Sequence, residues 1–176
     1  MRLAPNDIEP QIELAKTYNN LGMVSADTMA WYQKALAVRE QLLRLQPQSS
    51  VPRYELAGTL LEMGRYYGKQ GQPAEGIQVL KRAKALLKEA LALNPAHVGC
   101  QARLGSALLD LAKQQRSQGD WPGALHHFEE AQVLFTRLAR TNPEEFGEDA
   151  NEVAREITLC QQKPTARSTK PAWTRP

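Results

Sequence analysis

The sequence predicts an all-α protein built from antiparallel helix pairs. Val and Ile together number only 11 among its 176 residues, and strict alternation of apolar and polar residues is absent, which disfavours a sheet. Apolar residues instead recur every three and four positions, as they do on one face of a helix. The chain also repeats itself with a period of 48 residues, and periods of this size are typical of repeat architectures.

Prolines mark the period. Pro47, Pro95 and Pro143 follow one another at intervals of 48 residues, and the last two units align without gaps. The identities fall on apolar and turn positions, where a repeated fold needs them. They include the pairs Leu56 and Leu104, Leu60 and Leu108, Gly71 and Gly119, and Ala83 and Ala131.

Each unit is predicted to contain two helices and a turn. Leu56 and Leu60 belong to the apolar stripe of a first helix. Gly71 suits the left-handed end of that helix, and Pro73 suits the first turn of the next one. Pro95 then ends the second helix, because proline disfavours helix in the residue before it. The predicted units are residues 6–47, 48–95 and 96–143.

The first unit is six residues shorter than the other two. The missing residues fall between Gly22 and Ala35, where the other units have the turn. One alternative is a tight turn over Val24–Asp27, with Ser25 or Asp27 capping the second helix. The other is one continuous helix. We expect the tight turn.

The two ends of the chain differ from the repeats. Residues 1–5 resemble the last residues of a preceding unit. Residues 144–163 keep helical spacing among many acidic side chains, which predicts a capping helix with a polar face. Residues 164–176 are rich in proline and basic residues and lack an apolar period, so we expect a disordered tail.

The net charge of +3 comes from the tail. Residues 163–176 hold four basic and no acidic side chains, which leaves 18 basic against 19 acidic residues in the remainder. The predicted repeats are therefore nearly neutral, and the charge gives no argument for specific nucleic-acid binding. One alternative for the tail is contact with nucleic acid or an anionic membrane. Because its four charges are dispersed, a passive tail is the preferred interpretation.

Composition also limits the compartment and the chemistry. No apolar run reaches the roughly 20 residues that a membrane span needs, and no signal-peptide core is visible, so we expect a cytoplasmic protein. Cys100 and Cys160 are expected to be buried thiols. His126 and His127 are adjacent on a helix and point about 100° apart, so they cannot share a metal ion. We expect no enzymatic activity, no cofactor and no metal site.

The repeated residues resemble the tetratricopeptide repeat family over roughly residues 5–143. The resemblance implies a right-handed solenoid of antiparallel helix pairs. The usual repeat has 34 residues, and 14 extra residues lengthen both helices by about two turns each without rotating their facing stripes. Tyr18–Gly22 and Ala35–Glu40 resemble long-helix arrays of kinesin light chains and of tails of bacterial Ser/Thr protein kinases. The matching residues are Leu60, Met63, Gly64, Tyr67, Gly71, Leu80, Ala83, Pro95, Leu108, Leu111, Ala112, Gly119, Asp120, Ala124, Phe128, Ala131 and Pro143.

The resemblance also implies a function. Arrays of this family bind peptides or proteins on a concave groove lined by the first helix of each unit, so we expect a protein–protein interaction scaffold. The alternative is a non-catalytic regulatory segment of a larger signalling protein such as a Ser/Thr kinase. The composition of this groove predicts an acidic, partly apolar peptide as the ligand. The alternative is that the charged residues form a solvated face that binds no ligand. The implied groove residues are Lys16, Asn19, Asn20, Met23, Leu61, Arg65, Lys69, Leu109, Lys113 and Arg116.

Overall fold

The computed structural model describes residues 8–162, which form seven helices and no strand. The all-α prediction is thus confirmed for this part of the chain. The expected remnant of a preceding unit, residues 1–5, and the expected tail, residues 164–176, lie outside it. The helices are α1 (Ile8–Val24), α2 (Thr28–Leu45), α3 (Ser50–Lys69), α4 (Pro73–Leu93), α5 (Val98–Ser117), α6 (Trp121–Thr141) and α7 (Pro143–Gln162).

Neighbouring helices pack against each other along the whole described chain, and α3 also contacts α5. Helices α5 and α6 begin and end 48 residues after α3 and α4, so the sequence period is also the period of the helix bounds. Large apolar side chains fill the interior of these two pairs. Those without solvent exposure include Leu56, Leu80, Leu87, Leu111, Phe128 and Phe135.

The turns inside the second and third pairs depend on glycine. Gly71 has a φ of 71° and Gly119 a φ of 82°, the only positive φ values among residues 8–162. Residues other than glycine are strained in this left-handed conformation, because they carry a Cβ atom. Pro73 and Pro122 follow in the first turns of α4 and α6, as the sequence predicts.

The first pair has the predicted tight turn, over residues 25–27. In the first pair, α1 ends 19 residues after Pro5 and α2 begins 19 residues before Pro47. In the second pair both intervals are 22 residues, so each helix of the first pair is three residues shorter at the turn. Equal shortening of two antiparallel helices keeps their ends level. The Ser25 hydroxyl accepts hydrogen bonds from the Asp27 amide and from Trp31 Nε1, both at 3.2 Å, whereas the Asp27 side chain makes no capping bond.

The junction between the first two pairs is polar in its centre. Arg39 stands one period before Leu87, yet its side chain is only 7% exposed. Its guanidinium donates to the Glu55 carbonyl at 2.7 Å, to Glu55 Oε2 at 3.0 Å and to the Thr59 hydroxyl. Burial lowers the pKa of Arg39, while the Glu55 carboxylate opposes that effect. This junction differs from the apolar one that follows it.

Helix α7 occupies residues 143–162, within one residue of the predicted capping helix. It buries Phe146, Val153, Ile157 and Cys160, and its remaining positions are largely polar. Cys100 is also buried, so both cysteines are the free, buried thiols expected from the sequence. Among residues 8–162, none of the helices combines the length and the apolar character needed to cross a bilayer.

Candidate functional site

Two clefts run across the first helices of the three pairs. The larger, of about 660 Å³, lies between α3 and α5, and the smaller, of about 210 Å³, lies between α1 and α3. Arg65 and Lys69 line both, so we treat the clefts as one surface, the α1–α3–α5 groove. The larger cleft is lined by Arg65, Gly68, Lys69, Gly71, Pro73, Asp110, Lys113, Gln114 and Ser117. The smaller is lined by Gly22, Met23, Thr28, Tyr32, Glu62, Arg65, Tyr66 and Lys69.

Arg65 is held at the centre of this groove by two carboxylates. Its Nε donates to Asp110 Oδ2 at 2.7 Å, and its Nη1 donates to Glu62 Oε1 at 2.9 Å. Burial raises the pKa of Asp110, and the Arg65 guanidinium partly offsets this. The pKa of Arg65 is itself raised, because the attraction of the two carboxylates exceeds the effect of burial. Arg65 therefore forms a fixed wall between the two clefts.

Lys113 and Arg116 connect α5 to α7. Lys113 Nζ lies 2.6 Å from Glu152 Oε1, and Arg116 pairs with the Glu156 carboxylate. The sequence assigned both cations to a partner, but the acidic face of α7 already contacts them. Only Lys113 of the two lines the groove.

The structure corrects the role expected of the two leucines. Leu61 is 4% exposed and Leu109 is 6% exposed, and both belong to the hydrophobic core. The reason is that α3 and α5 each have helices packed on both sides, so their apolar stripes are wider than that of a helix with one neighbour. Neither leucine presents the surface needed to anchor a ligand.

The four α1 residues that were predicted to line the groove have three different environments. Met23 is 64% exposed and lines the groove, and Asn20 is exposed on the same helix. Lys16 pairs with Glu13 at 2.7 Å and lines a different cleft. Asn19 is partly buried, and its Oδ1 has no hydrogen-bond partner among the described residues.

The groove also contains residues that the sequence did not single out. Gln114 is 7% exposed, and its Nε2 donates to the Gly64 carbonyl at 2.8 Å, which ties α5 to α3. Tyr66 supplies a partly exposed ring to the smaller cleft. Asp110 can be singled out from the sequence, because it is the only acidic residue in α5. No signal in the sequence identifies its partner in α3.

The histidine and cysteine side chains considered for chemistry lie outside the groove. Among residues 8–162, no cluster of three or more His, Cys, Asp or Glu residues could hold a metal ion. His127 Nδ1 lies 2.6 Å from Gln115 Oε1 and 3.0 Å from the Gly123 carbonyl, and two such acceptors place its proton on Nδ1. Burial raises the pKa of Cys100 to about 11, so its thiol stays protonated and unreactive near neutral pH.

Comparisons with known proteins do not assign the chain to a family. No protein-family model matches the chain, and no curated protein is significantly similar to it. The tetratricopeptide resemblance therefore rests on the repeated residues alone. Function must be inferred from the geometry and charge of the α1–α3–α5 groove.

Proposed function

We propose that this protein is an interaction scaffold of the tetratricopeptide type, and that the α1–α3–α5 groove holds an acidic, partly apolar peptide segment of a partner protein. The observation that carries the proposal is Lys69, which lines both clefts and has no ion pair with the described residues. The other two cations of the larger cleft, Arg65 and Lys113, are paired with carboxylates. A cation without a carboxylate partner in a cleft favours anionic ligands and disfavours cationic ones.

Lys69 is the best contact for a ligand carboxylate. It is exposed, it lines both clefts, and it has no hydrogen bond or ion pair with the described residues. Lys113 is the second contact. Its pair with Glu152 is about one third exposed on both sides, and such pairs contribute only about 0–1 kcal/mol. A ligand can therefore recruit Lys113 at a small cost.

The apolar contact comes from the smaller cleft. Met23 has a flexible side chain that is 64% exposed, and both Met23 and Tyr66 line this cleft. Methionine adapts to differently shaped apolar partners, and tyrosine combines an apolar ring with a polar tip. These two side chains take the place that the sequence gave to Leu61 and Leu109. A ligand with an acidic residue several positions from an apolar residue fits this arrangement.

The experiment selects peptides from a random displayed library against the full chain and measures their affinities by fluorescence anisotropy. We expect selected peptides to be acidic and to bind Lys69→Glu at least roughly tenfold more weakly. Lys16→Glu is the matched control, because Lys16 is an exposed lysine of a first helix but lies outside the groove. Equal losses in the two variants, or selection of basic peptides, would overturn the proposal.

A further inference from the structure

A third cleft, of about 460 Å³, lies at the junction of the first two helix pairs and shares no residue with the α1–α3–α5 groove. Three of its six lining residues are arginines, one each from α2, α3 and α4. Only one lining residue is acidic. The lining consists of Glu40, Leu43, Arg44, Pro47, Arg53 and Arg82.

The three guanidinium groups differ in how many hydrogen bonds they donate to the protein. Arg82 Nη2 donates to Glu40 Oε1 at 2.6 Å. Arg53 donates to Glu89 Oε2 at 3.0 Å and to the Ser49 carbonyl at 2.9 Å. Arg44 is exposed and has no hydrogen bond or ion pair with the described residues. Each guanidinium has five N–H donors, so most donors of this cluster have no protein acceptor.

The next junction of the chain lacks this cluster. One period later, the positions of Arg44, Arg53 and Arg82 hold Ala92, Gln101 and Glu130. The ion pair across that junction also has the reverse direction, since Glu130 accepts from Lys84 on α4. A charge pair therefore occurs at both junctions, but three arginines occur only at the first. The excess at the first junction calls for a separate explanation.

We propose that this arginine cleft binds a phosphate monoester carried by a phosphorylated serine or threonine of a peptide. Such a group has a charge of about −1.5 to −2 and three acceptor oxygens. Arginine matches it in planar, charge-assisted hydrogen bonds. Leu43 and Pro47 supply an apolar wall beside the arginines for the peptide itself.

A phosphate fits the cleft better than a carboxylate does. Arg53 and Arg82 already hold carboxylates, so a ligand can share the N–H donors that these two arginines leave unused. Three oxygens can divide among three guanidinium groups, whereas the two oxygens of a carboxylate are already matched by Arg44 alone. Counting Glu40 and Glu89, the cluster keeps one net positive charge before the ligand binds. The binding is accordingly expected to depend strongly on Arg44.

The test titrates the full chain with three fluorescent peptides of one alanine- and glycine-rich sequence that carry phosphoserine, serine or aspartate at the centre. We expect the phosphoserine peptide to bind at least roughly tenfold more tightly than the other two, and Arg44→Gln to remove most of that difference. Arg140→Gln is the matched control. Arg140 is the exposed arginine two periods after Arg44, in the last turn of α6, and its cleft contains only one other arginine, Arg137. We expect a loss of less than about twofold.

Four outcomes would overturn the proposal. They are no preference for the phosphoserine peptide, equal losses in Arg44→Gln and Arg140→Gln, an aspartate peptide that binds as tightly, and inorganic phosphate that binds as tightly as the phosphopeptide. The second outcome would indicate unspecific attraction of anions, and the last would indicate a site for a free anion. Lys69→Glu should leave the phosphopeptide affinity unchanged, which separates this site from the α1–α3–α5 groove.

Discussion

Arg39 gives the most direct test of how the first helix pair is joined to the second. Its guanidinium contacts the carbonyl and carboxylate of Glu55 and the hydroxyl of Thr59. One period later, the positions of Arg39 and Thr59 hold Leu87 and Ala107, both with 0% exposure. One period later these two positions are thus apolar and fully buried, and their residues supply the control substitutions.

We expect Arg39→Ala to lower the free energy of unfolding by about 3 kcal/mol, because removal of one partner from a buried pair costs about 3–5 kcal/mol. The lower end applies because the Glu55 side chain is 31% exposed and regains water. Arg39→Leu combined with Thr59→Ala should instead stay within about 1 kcal/mol of the native protein, since a well-packed apolar replacement avoids the desolvation of the guanidinium.

The measurement is urea denaturation followed by far-ultraviolet circular dichroism for the native protein, Arg39→Ala and the double variant. In a helix array, stability depends on contacts between neighbouring units, so a separate early transition in Arg39→Ala would indicate release of the first pair. A double variant as unstable as Arg39→Ala would refute the reasoning. So would Arg39→Ala with native stability, because the buried contacts would then contribute nothing.

Three further predictions concern the interior. Gly105→Ala should cost about 1–3 kcal/mol, because its Cβ would lie 2.8 Å from the Phe135 ring, whereas Gly147→Ala meets nothing within 4 Å and should be neutral or stabilising in urea denaturation. Burial and the charge of Lys84 hold the pKa of His127 below its usual value. Because the unfolded chain then binds the proton more readily than the folded protein, the free energy of unfolding should fall as the pH drops below about 6.5. The variant His127→Gln should show a smaller fall between pH 7 and pH 5. With a pKa of about 11, Cys100 should react with Ellman's reagent at pH 8 only after unfolding. The measurement uses Cys160→Ser, in which Cys100 is the only cysteine, and rapid labelling of this variant in its native state would contradict the burial of Cys100.

The repeat and its turns could be predicted because they depend on local chemistry. Gly71 and Gly119 end their helices through their own backbone freedom, and the helix bounds repeat at the spacing that the prolines mark. The groove residues were harder to assign, because their exposure depends on helices that are distant in the sequence. Leu61 and Leu109 lie on helices with neighbours on both sides, and a pattern within one helix does not reveal the second neighbour.

The charges also could not be assigned from one helix at a time. The described ion pairs between corresponding helices of adjacent units join residues 39 to 46 positions apart, somewhat less than one period. Arg65 with Asp110 and Glu40 with Arg82 are two of them. Such pairs neutralise charges that the pattern within a single helix assigns to a partner. In a sequence with this repeat, opposite charges at this separation should therefore be interpreted first as ion pairs between units.

What remains after that assignment is informative. Lys69 and Arg44 are exposed and have no ion pair with the described residues, and each lies in a cleft with two other cations. We expect anionic ligands to bind at such cations, because a cation that no carboxylate of the protein holds keeps its full field. The two proposed sites are centred on these two side chains. If both Lys69→Glu and Arg44→Gln left every ligand affinity unchanged, this way of separating structural from functional charge would be wrong for the protein.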